Sequence, residues 1–191
     1  MTSRSHDAFS FASLLTLAVY YPPNSLSFST LGVSLIGNIV GGLLPDLDQA
    51  SNRLWDLLPA GNIVGRFGRK LFLSHRTLSH SILGGYLLYR ILEELLPRIL
   101  NPSFINVNLV IFSMMIGYLA HLLADSLTEE GIPLFFPFKI MLGFPPIPSW
   151  RIKTGGWFEK LLIFPGLVVY LVWFSIVNQA VLVKILRLMV K

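Results

Sequence analysis

The chain has 191 residues, of which 53% are hydrophobic and 13% are charged, and its mean hydropathy is +0.66. Because ordinary soluble domains contain about 25% charged residues, this composition excludes a disordered protein and argues against a water-soluble globule. The net charge of +5 is interpreted as Lys and Arg at the cytoplasmic ends of membrane helices, so the expected partner is a lipid bilayer and not a nucleic acid.

Five apolar runs follow one another along the chain and predict an all-α, polytopic membrane bundle that forms one domain over residues 1–191. The runs cover residues 8–21, 30–44, 79–96, 104–124 and 161–183. The second run contains small residues that let helix backbones approach closely within a membrane. These residues are Gly32, Gly37, Gly41 and Gly42.

Two polar loops, residues 46–78 and 125–160, set the predicted orientation of the five spans. The N-terminal end and both loops fall on one side, which carries ten basic residues against four on the other. The ten are Arg4, Arg53, Arg66, Arg69, Lys70, Arg76, Lys139, Arg151, Lys153 and Lys160. The positive-inside rule therefore places this side in the cytoplasm.

The four histidines lie in short polar clusters beside the apolar runs, on the same predicted cytoplasmic side as three aspartates. The span assignment makes no use of the histidines, so their shared side supports one convergent site at the interface. The seven candidate metal ligands are His6, Asp46, Asp48, His75, His80, His121 and Asp125. For each cluster taken singly, the alternative is a polar anchor or an acidic stop after a span.

Two of the clusters have informative spacing. His121 and Asp125 are four residues apart and share one face of a helix, and ionisable residues in an apolar helix are typical of functional sites. Asp46 and Asp48 follow Pro45, and an extended Asp-x-Asp segment would point both carboxylates the same way.

The third cluster consists of His75 and His80 and lies at the start of the run over residues 79–96. We expect Ser79 to cap that helix and to leave His75 in the loop, folded back towards His80. Arg76 lies between the two histidines, where it is either a bidentate phosphate ligand or a positive-inside anchor.

The residue types of the candidate ligands limit which metal ions can bind. The chain has no cysteine, which excludes disulfides, thiolate zinc sites and cysteine nucleophiles. Imidazole with carboxylate suits zinc, manganese, iron or nickel, and zinc or manganese is the favoured choice. Seven ligands exceed what one tetrahedral zinc needs. Two ions about 3.5–4 Å apart would use them all, and such a pair clamps a phosphoryl oxygen and activates water.

Four motifs occur in order along nearly the whole chain and carry a family resemblance. They are SH at residues 5–6, LLPDLD at 43–48, SHRTLSHS at 74–81 and GYLAHLLADSLT at 117–128, continued by GIPL at 131–134 and by Pro137. On these motifs the sequence resembles the YdjM-type family of membrane-bound, metal-dependent hydrolases, some of which are described as LexA-regulated inner-membrane proteins. Family members often have His-Pro where this chain has Gln49-Ala50.

The resemblance implies a multi-pass inner-membrane protein with a metal-dependent hydrolase activity. It also implies a role for Glu159, which belongs to a Gly-Gly-x-x-Glu element before the last span. The candidate catalytic residues are therefore Asp48, as a general base instead of a ligand, Arg76 and Glu159. We expect a phosphoester or lipid-linked substrate at a site that faces the cytoplasm.

Two other functions are weighed against this hypothesis. A metal-binding transport or regulatory protein without hydrolysis would also place polar residues near helix ends. A metal-independent lipid phosphatase with a histidine nucleophile would need a Pro-Ser-Gly-His-like loop, and the sequence contains none.

Overall fold

A computed structural model describes residues 1–47, 78–138 and 140–190. Six α-helices are present in these ranges: α1 (Ser3–Tyr20), α2 (Phe28–Leu43), α3 (Ile82–Ile99), α4 (Val107–Ser126), α5 (Phe164–Val177) and α6 (Gln179–Arg187). Within the same ranges β pairing is limited to two isolated bridges, between Thr128 and Ile152 and between Ile132 and Leu142. The all-α fold class predicted from the sequence is confirmed.

Short turns extend several helices at their ends. Turns of 3-10 helix cover Leu44–Asp46, Leu78–His80, Pro148–Trp150 and Leu188–Val190, and a π-helical turn, Glu159–Ile163, leads into α5. Three of these turns carry predicted site residues, namely Asp46, His80 and Glu159. Within the first polar loop, the apolar residues at 54–58 favour a short interfacial helix, and this segment lies outside the described residues.

Three segments among the described residues are long and apolar enough to cross a membrane: Phe28–Asp46, Val107–Ser126 and Glu159–Val177. The helices α1 and α3 are predicted as spans over residues 8–21 and 79–96, but they do not combine the same length with the same apolar composition. In α3 the reason is visible, because Arg90 pairs with Glu93 and Arg98 pairs with Glu94 on its exposed surface. Three of the described segments therefore have the length and composition expected of a membrane-spanning helix.

The last apolar run is divided in the structure. Residues 161–183 are predicted as one span, but α5 ends at Val177 and α6 starts at Gln179. The residue between them, Asn178, has φ −102° and ψ 17°, and its side-chain amide donates a hydrogen bond to the Phe174 carbonyl 2.9 Å away. The backbone N–H of Asn178 donates to the same carbonyl at 3.0 Å, and side-chain bonds of this kind often bend helices.

Helices α2 and α4 form the centre of the bundle and contact each other through glycines. A Cβ atom on Gly41 would lie 2.0 Å from the Met114 carbonyl oxygen, and one on Gly117 would lie 2.1 Å from the Asn38 carbonyl oxygen. The predicted role of small residues is thus correct for Gly41 and wrong for Gly32, whose Cβ would meet no atom within 4 Å. Close packing here fixes the relative positions of the ends of α2 and α4.

The segment between α4 and α5 folds across the end of the bundle where α4 finishes. Arg151 holds it together, since its guanidinium donates to the carbonyl oxygens of Pro145 (2.6 Å) and Pro146 (2.8 Å). Several large side chains of this segment are exposed, namely Phe135, Phe138, Phe144, Trp150 and Trp157. Exposed aromatic rings of this kind are typical of segments at a membrane interface.

Candidate metal centre

Five predicted ligands converge at one end of the bundle. His6 lies in the first turns of α1, Asp46 follows α2, His80 precedes α3, and His121 and Asp125 lie in the last turns of α4. The exposed fractions of the four most buried are 4% for His6, 0% for His80, 1% for His121 and 2% for Asp125. Burial of so many ionisable groups is costly unless each finds a partner.

Two histidines and two aspartates form a closed ring of alternating nitrogen and oxygen atoms. His80 Nε2 lies 3.6 Å from Asp46 Oδ1 and 3.5 Å from Asp125 Oδ2. His121 Nε2 lies 3.6 Å from each of the same two oxygen atoms. Adjacent ligands of a tetrahedral ion with bonds of about 2.1 Å lie about 3.4 Å apart, so this ring has the dimensions of a metal site.

The tautomer of His121 follows from its other ring nitrogen. Nδ1 lies 2.6 Å from the Gly42 carbonyl oxygen, which can only accept, so Nδ1 carries the proton. In the neutral ring Nε2 then has the lone pair, and it is buried without a hydrogen-bond partner among the described residues. A lone pair that faces two carboxylate oxygens suits a cation bound between them, and a carbonyl on the second nitrogen is the usual support of a metal-bound histidine.

His6 extends the cluster beyond this ring. Its Nε2 lies 3.1 Å from Asp125 Oδ1, and its ring stacks on that of His121 with centroids 3.9 Å apart. The amino group of Met1 also lies 2.8 Å from Asp125 Oδ1. Each of two groups, His6 with His121 and Asp125 and Asp46 with His80 and His121, offers three ligand atoms within 4.8 Å of one another. The donor set therefore fits one ion or two neighbouring ions.

Burial keeps two of the histidines neutral at neutral pH. It lowers the pKa of His6 to about 4, against a smaller opposing effect of Asp125, and it also lowers the pKa of His80. Both residues lie outside the three apolar spans. Neutral imidazole is the form that binds a metal, so these rings are prepared for coordination without first losing a proton.

The local conformation around Asp46 differs from the prediction. The extended conformation predicted for the Asp-x-Asp segment is wrong for Asp46 and Leu47. Leu44–Asp46 form a 3-10 turn, and Leu47 has φ −58° and ψ −24°. Pro45 fits this turn because its fixed φ is helical and its missing N–H is not needed at the start of a turn. The turn continues α2 and brings the Asp46 carboxylate to the two histidines.

The start of α3 also differs from the prediction. Ser81, and not Ser79, is the N-cap, since its hydroxyl accepts a hydrogen bond from the Gly84 N–H at 3.0 Å. Ser79 is part of the preceding turn, and its hydroxyl lies 3.1 Å from His80 Nδ1. The hydroxyl of Tyr118 donates to the Ser79 carbonyl at 2.7 Å and holds this turn against α4. Tyr118 precedes His121 by one helical turn, and no feature of the sequence predicts its role in holding this turn.

Glu159 is fully buried and contacts the beginning of α1. Its Oε1 accepts hydrogen bonds from the N–H (2.6 Å) and the hydroxyl (2.8 Å) of Thr2, and its Oε2 accepts from the Gly155 N–H (2.7 Å). A carboxylate at the N-terminus of a helix is stabilised by the helix dipole. Glu159 thus holds the beginning of α1 in place, and the catalytic role that the resemblance implies for it stays a prediction.

Replacing Glu159 by Gln is expected to destabilise the protein by about 1–3 kcal/mol, because an amide NH₂ would face the N–H groups of Thr2 or Gly155. The measurement is thermal unfolding in detergent. Glu129→Gln, a change at an exposed glutamate, is the control. Equal unfolding midpoints for the two variants would contradict this positioning role.

Three predicted site residues, Asp48, His75 and Arg76, lie outside the described residues. Asp48 therefore stays a predicted ligand or general base. His75 stays a predicted ligand, and Arg76 a predicted phosphate ligand. The described part of the chain supplies the other five ligands.

Residues 1–188 match the family described as YdjM inner membrane protein. The chain belongs to this family. YdjM membership and the three apolar helices together support an inner-membrane location.

Two relatives illustrate the family. The uncharacterized protein YvsG of Bacillus subtilis is 28% identical over 163 residues, which cover 85% of this chain and 88% of YvsG. The inner membrane protein YdjM of Escherichia coli is 29% identical over 133 residues, or 69% of this chain and 61% of that protein. The chain thus spans less than two thirds of the Escherichia coli YdjM protein. No solved structure matches the chain significantly.

Proposed function

We propose that this YdjM-family protein is a metal-dependent hydrolase of phosphoesters whose buried His/Asp cluster faces the cytoplasm. The observation that carries the proposal is the ring formed by His80, His121, Asp46 and Asp125, in which a buried His121 lone pair faces two carboxylate oxygens. Zinc or manganese is the ion that suits such nitrogen and oxygen ligands. The basic residues on the same predicted side support the cytoplasmic orientation.

A divalent ion held there would polarise a phosphoryl oxygen and lower the pKa of a bound water. The protein's own groups fix the geometry of that chemistry. Asp125 joins the two halves of the cluster, since its Oδ2 faces His80 and His121 while its Oδ1 faces His6. The Asp46 side chain is 24% exposed, so a substrate would approach the cluster from the side of Asp46.

Metal analysis of the purified protein tests the first part of this proposal. We expect zinc or manganese in the wild-type protein and a strongly reduced content in His121→Ala, because that change removes a nitrogen shared by both ligand groups. Asn108→Ala, at the opposite end of the same helix, is the control. A wild-type protein without zinc, manganese or iron, or a His121→Ala protein with undiminished metal, would overturn it.

Hydrolysis of phosphomonoesters and phospholipids tests the second part. Activity should be lost in chelator and restored by adding the ion back. Activity that persists in chelator would favour a metal-independent reaction. Retained metal without hydrolysis of any ester, together with ion flux in proteoliposomes, would favour the transport alternative and overturn the hydrolase proposal.

A further inference from the structure

The outward surface of α3 carries a charged pair halfway along the helix. The Arg90 guanidinium donates a hydrogen bond to Glu93 Oε2 at 2.5 Å, and the two side chains are 54% and 34% exposed. Arg90 is eight residues from Ile82 and nine from Ile99, the two ends of α3. It therefore lies about 12–14 Å from either end of the helix, at about 1.5 Å per residue.

Contacts with α4 fix the depth of this pair. A Cβ atom on Gly85 would lie 3.0 Å from Cε1 of Tyr118. One helical segment further on, Leu92 is buried in one cluster with Val110 and Met114. The two helices therefore lie side by side and antiparallel. Since α4 is one of the segments that could cross a membrane, the charged pair lies at the depth of the hydrocarbon core.

Lipid cannot satisfy the polar groups of this pair. A guanidinium has five N–H donors, and the structure gives Arg90 one hydrogen bond, to Glu93. Its other N–H groups have no acceptor within residues 1–47, 78–138 and 140–190, and lipid tails offer none. Charged side chains inside a membrane almost always face protein or a water-filled cavity. The middle of the outward face of α3 therefore requires a protein partner.

The residues around the pair have the spacing of a helix–helix contact. Arg90 is two residues from both Leu88 and Leu92, which pack on the α4 side, so a helix of 3.6 residues per turn directs Arg90 away from α4. Five residues on this outward face recur at intervals of three and four, the repeat of two helices that pack side by side. We call them the α3 stripe: Leu83, Tyr86, Arg90, Glu93 and Pro97.

We propose that the α3 stripe binds the α3 stripe of a second copy of this chain within the membrane. The stripe carries one positive and one negative charge about one turn apart, so it is complementary to itself. A two-fold axis along the membrane normal brings Arg90 of each copy to Glu93 of the other. Each guanidinium then gains a second carboxylate, and the four charges alternate in sign. The proposal is independent of metal binding and of hydrolysis.

Charge reversal on separate copies tests this pairing. Arg90→Glu makes the stripe negative and Glu93→Arg makes it positive, so each variant repels its own copy. We expect the two variants, co-expressed with different affinity tags, to co-purify more than about tenfold better than two tagged copies of either one, because like charges in an interface strongly oppose association. Lys184→Glu, at an exposed position of α6, is the control and should pair with itself like the wild-type protein. Equal recovery from mixed and unmixed variants would overturn the proposal.

Disulfide crosslinking tests the contact with the native charges in place, since the chain has no cysteine of its own. In phosphatidylcholine vesicles at a low protein-to-lipid ratio, Tyr86→Cys should form a disulfide-linked dimer on mild oxidation. Ile91→Cys is the matched control, because Ile91 lies beside the stripe on the same helix and is 57% exposed against 60% for Tyr86. Leu83→Cys is a second stripe variant should Tyr86→Cys fail to fold.

Two results of the crosslinking would overturn the proposal. Equal crosslinking at the stripe and at Ile91 would indicate random collisions. A protein that stays monomeric in both stripe variants would mean that another part of the chain or a different protein covers the stripe. Crosslinking at Tyr86 or Leu83 that exceeds the Ile91 control about tenfold is the expected result, since disulfide formation requires Cβ atoms about 3.5–4.5 Å apart.

Discussion

Replacing Asp125 by Asn should reduce the affinity for zinc or manganese by more than about 100-fold, because even a change in the outer shell of a metal site costs about 10–100-fold. The two oxygen atoms of Asp125 face His6, His80 and His121, so this single carboxylate is shared by every described histidine ligand. Asparagine has nearly the same shape but lacks the negative charge. The measurement is metal titration of purified, metal-free protein.

The control for Asp125→Asn is Glu94→Gln, which also converts an acid to its amide. Glu94 is exposed and pairs with Arg98 in the last turns of α3, about 18 Å along that helix from its start beside His80. We expect this control to bind the ion like the wild-type protein. An Asp125→Asn protein with wild-type affinity would show that the ring around Asp125 is not the binding site.

Replacing Gly41 by Ala should cost about 1–3 kcal/mol of stability, the usual penalty for overpacking a core. The added Cβ would lie 2.0 Å from the Met114 carbonyl oxygen, an atom of the α4 backbone that a rotamer change cannot move away. The two helices would have to separate. Because Asp46 follows α2 and His121 belongs to α4, the 3.6 Å distance between their ligand atoms would increase and metal affinity would fall with stability.

Gly32→Ala is the matched control for this change, since it is the same substitution in the same helix. A Cβ on Gly32 would have no neighbour within 4 Å, so the better helix propensity of alanine should raise stability by up to about 1 kcal/mol. Thermal unfolding in detergent and metal titration compare the two proteins. Equal stability of both variants would contradict the close contact between α2 and α4.

The sequence could predict those parts of the site that depend on local periodicity. His121 and Asp125 occupy one face of α4 because four residues make about one turn, whatever the rest of the chain does. The glycines of α2 indicated close packing in the same way. Gly32 was included wrongly, since it lies on the exposed face of α2 and the pattern of small residues does not say which face meets the partner helix.

Other features depend on contacts between distant parts of the chain. The hydrogen bonds from Thr2 to Glu159 join residues 157 positions apart, and no local sequence pattern predicts them. The 3-10 turn at Asp46 and the choice of Ser81 as the cap of α3 depend on how the ends of α2 and α3 meet α4. A hydropathy average likewise passes over Asn178, the residue at which α5 and α6 are divided.

With an ion held at the cluster as proposed, the origin of the five described ligands would link metal supply to the lifetime of the protein. They come from the ends of four separate segments between His6 and Asp125, so the cluster exists only after α1, α2, α4 and the turn before α3 have assembled. An ion that binds the assembled bundle and not its separated helices stabilises it in proportion to the logarithm of the ion concentration. In a metal-starved cell the same chain would open more often, and membrane proteases would remove it sooner.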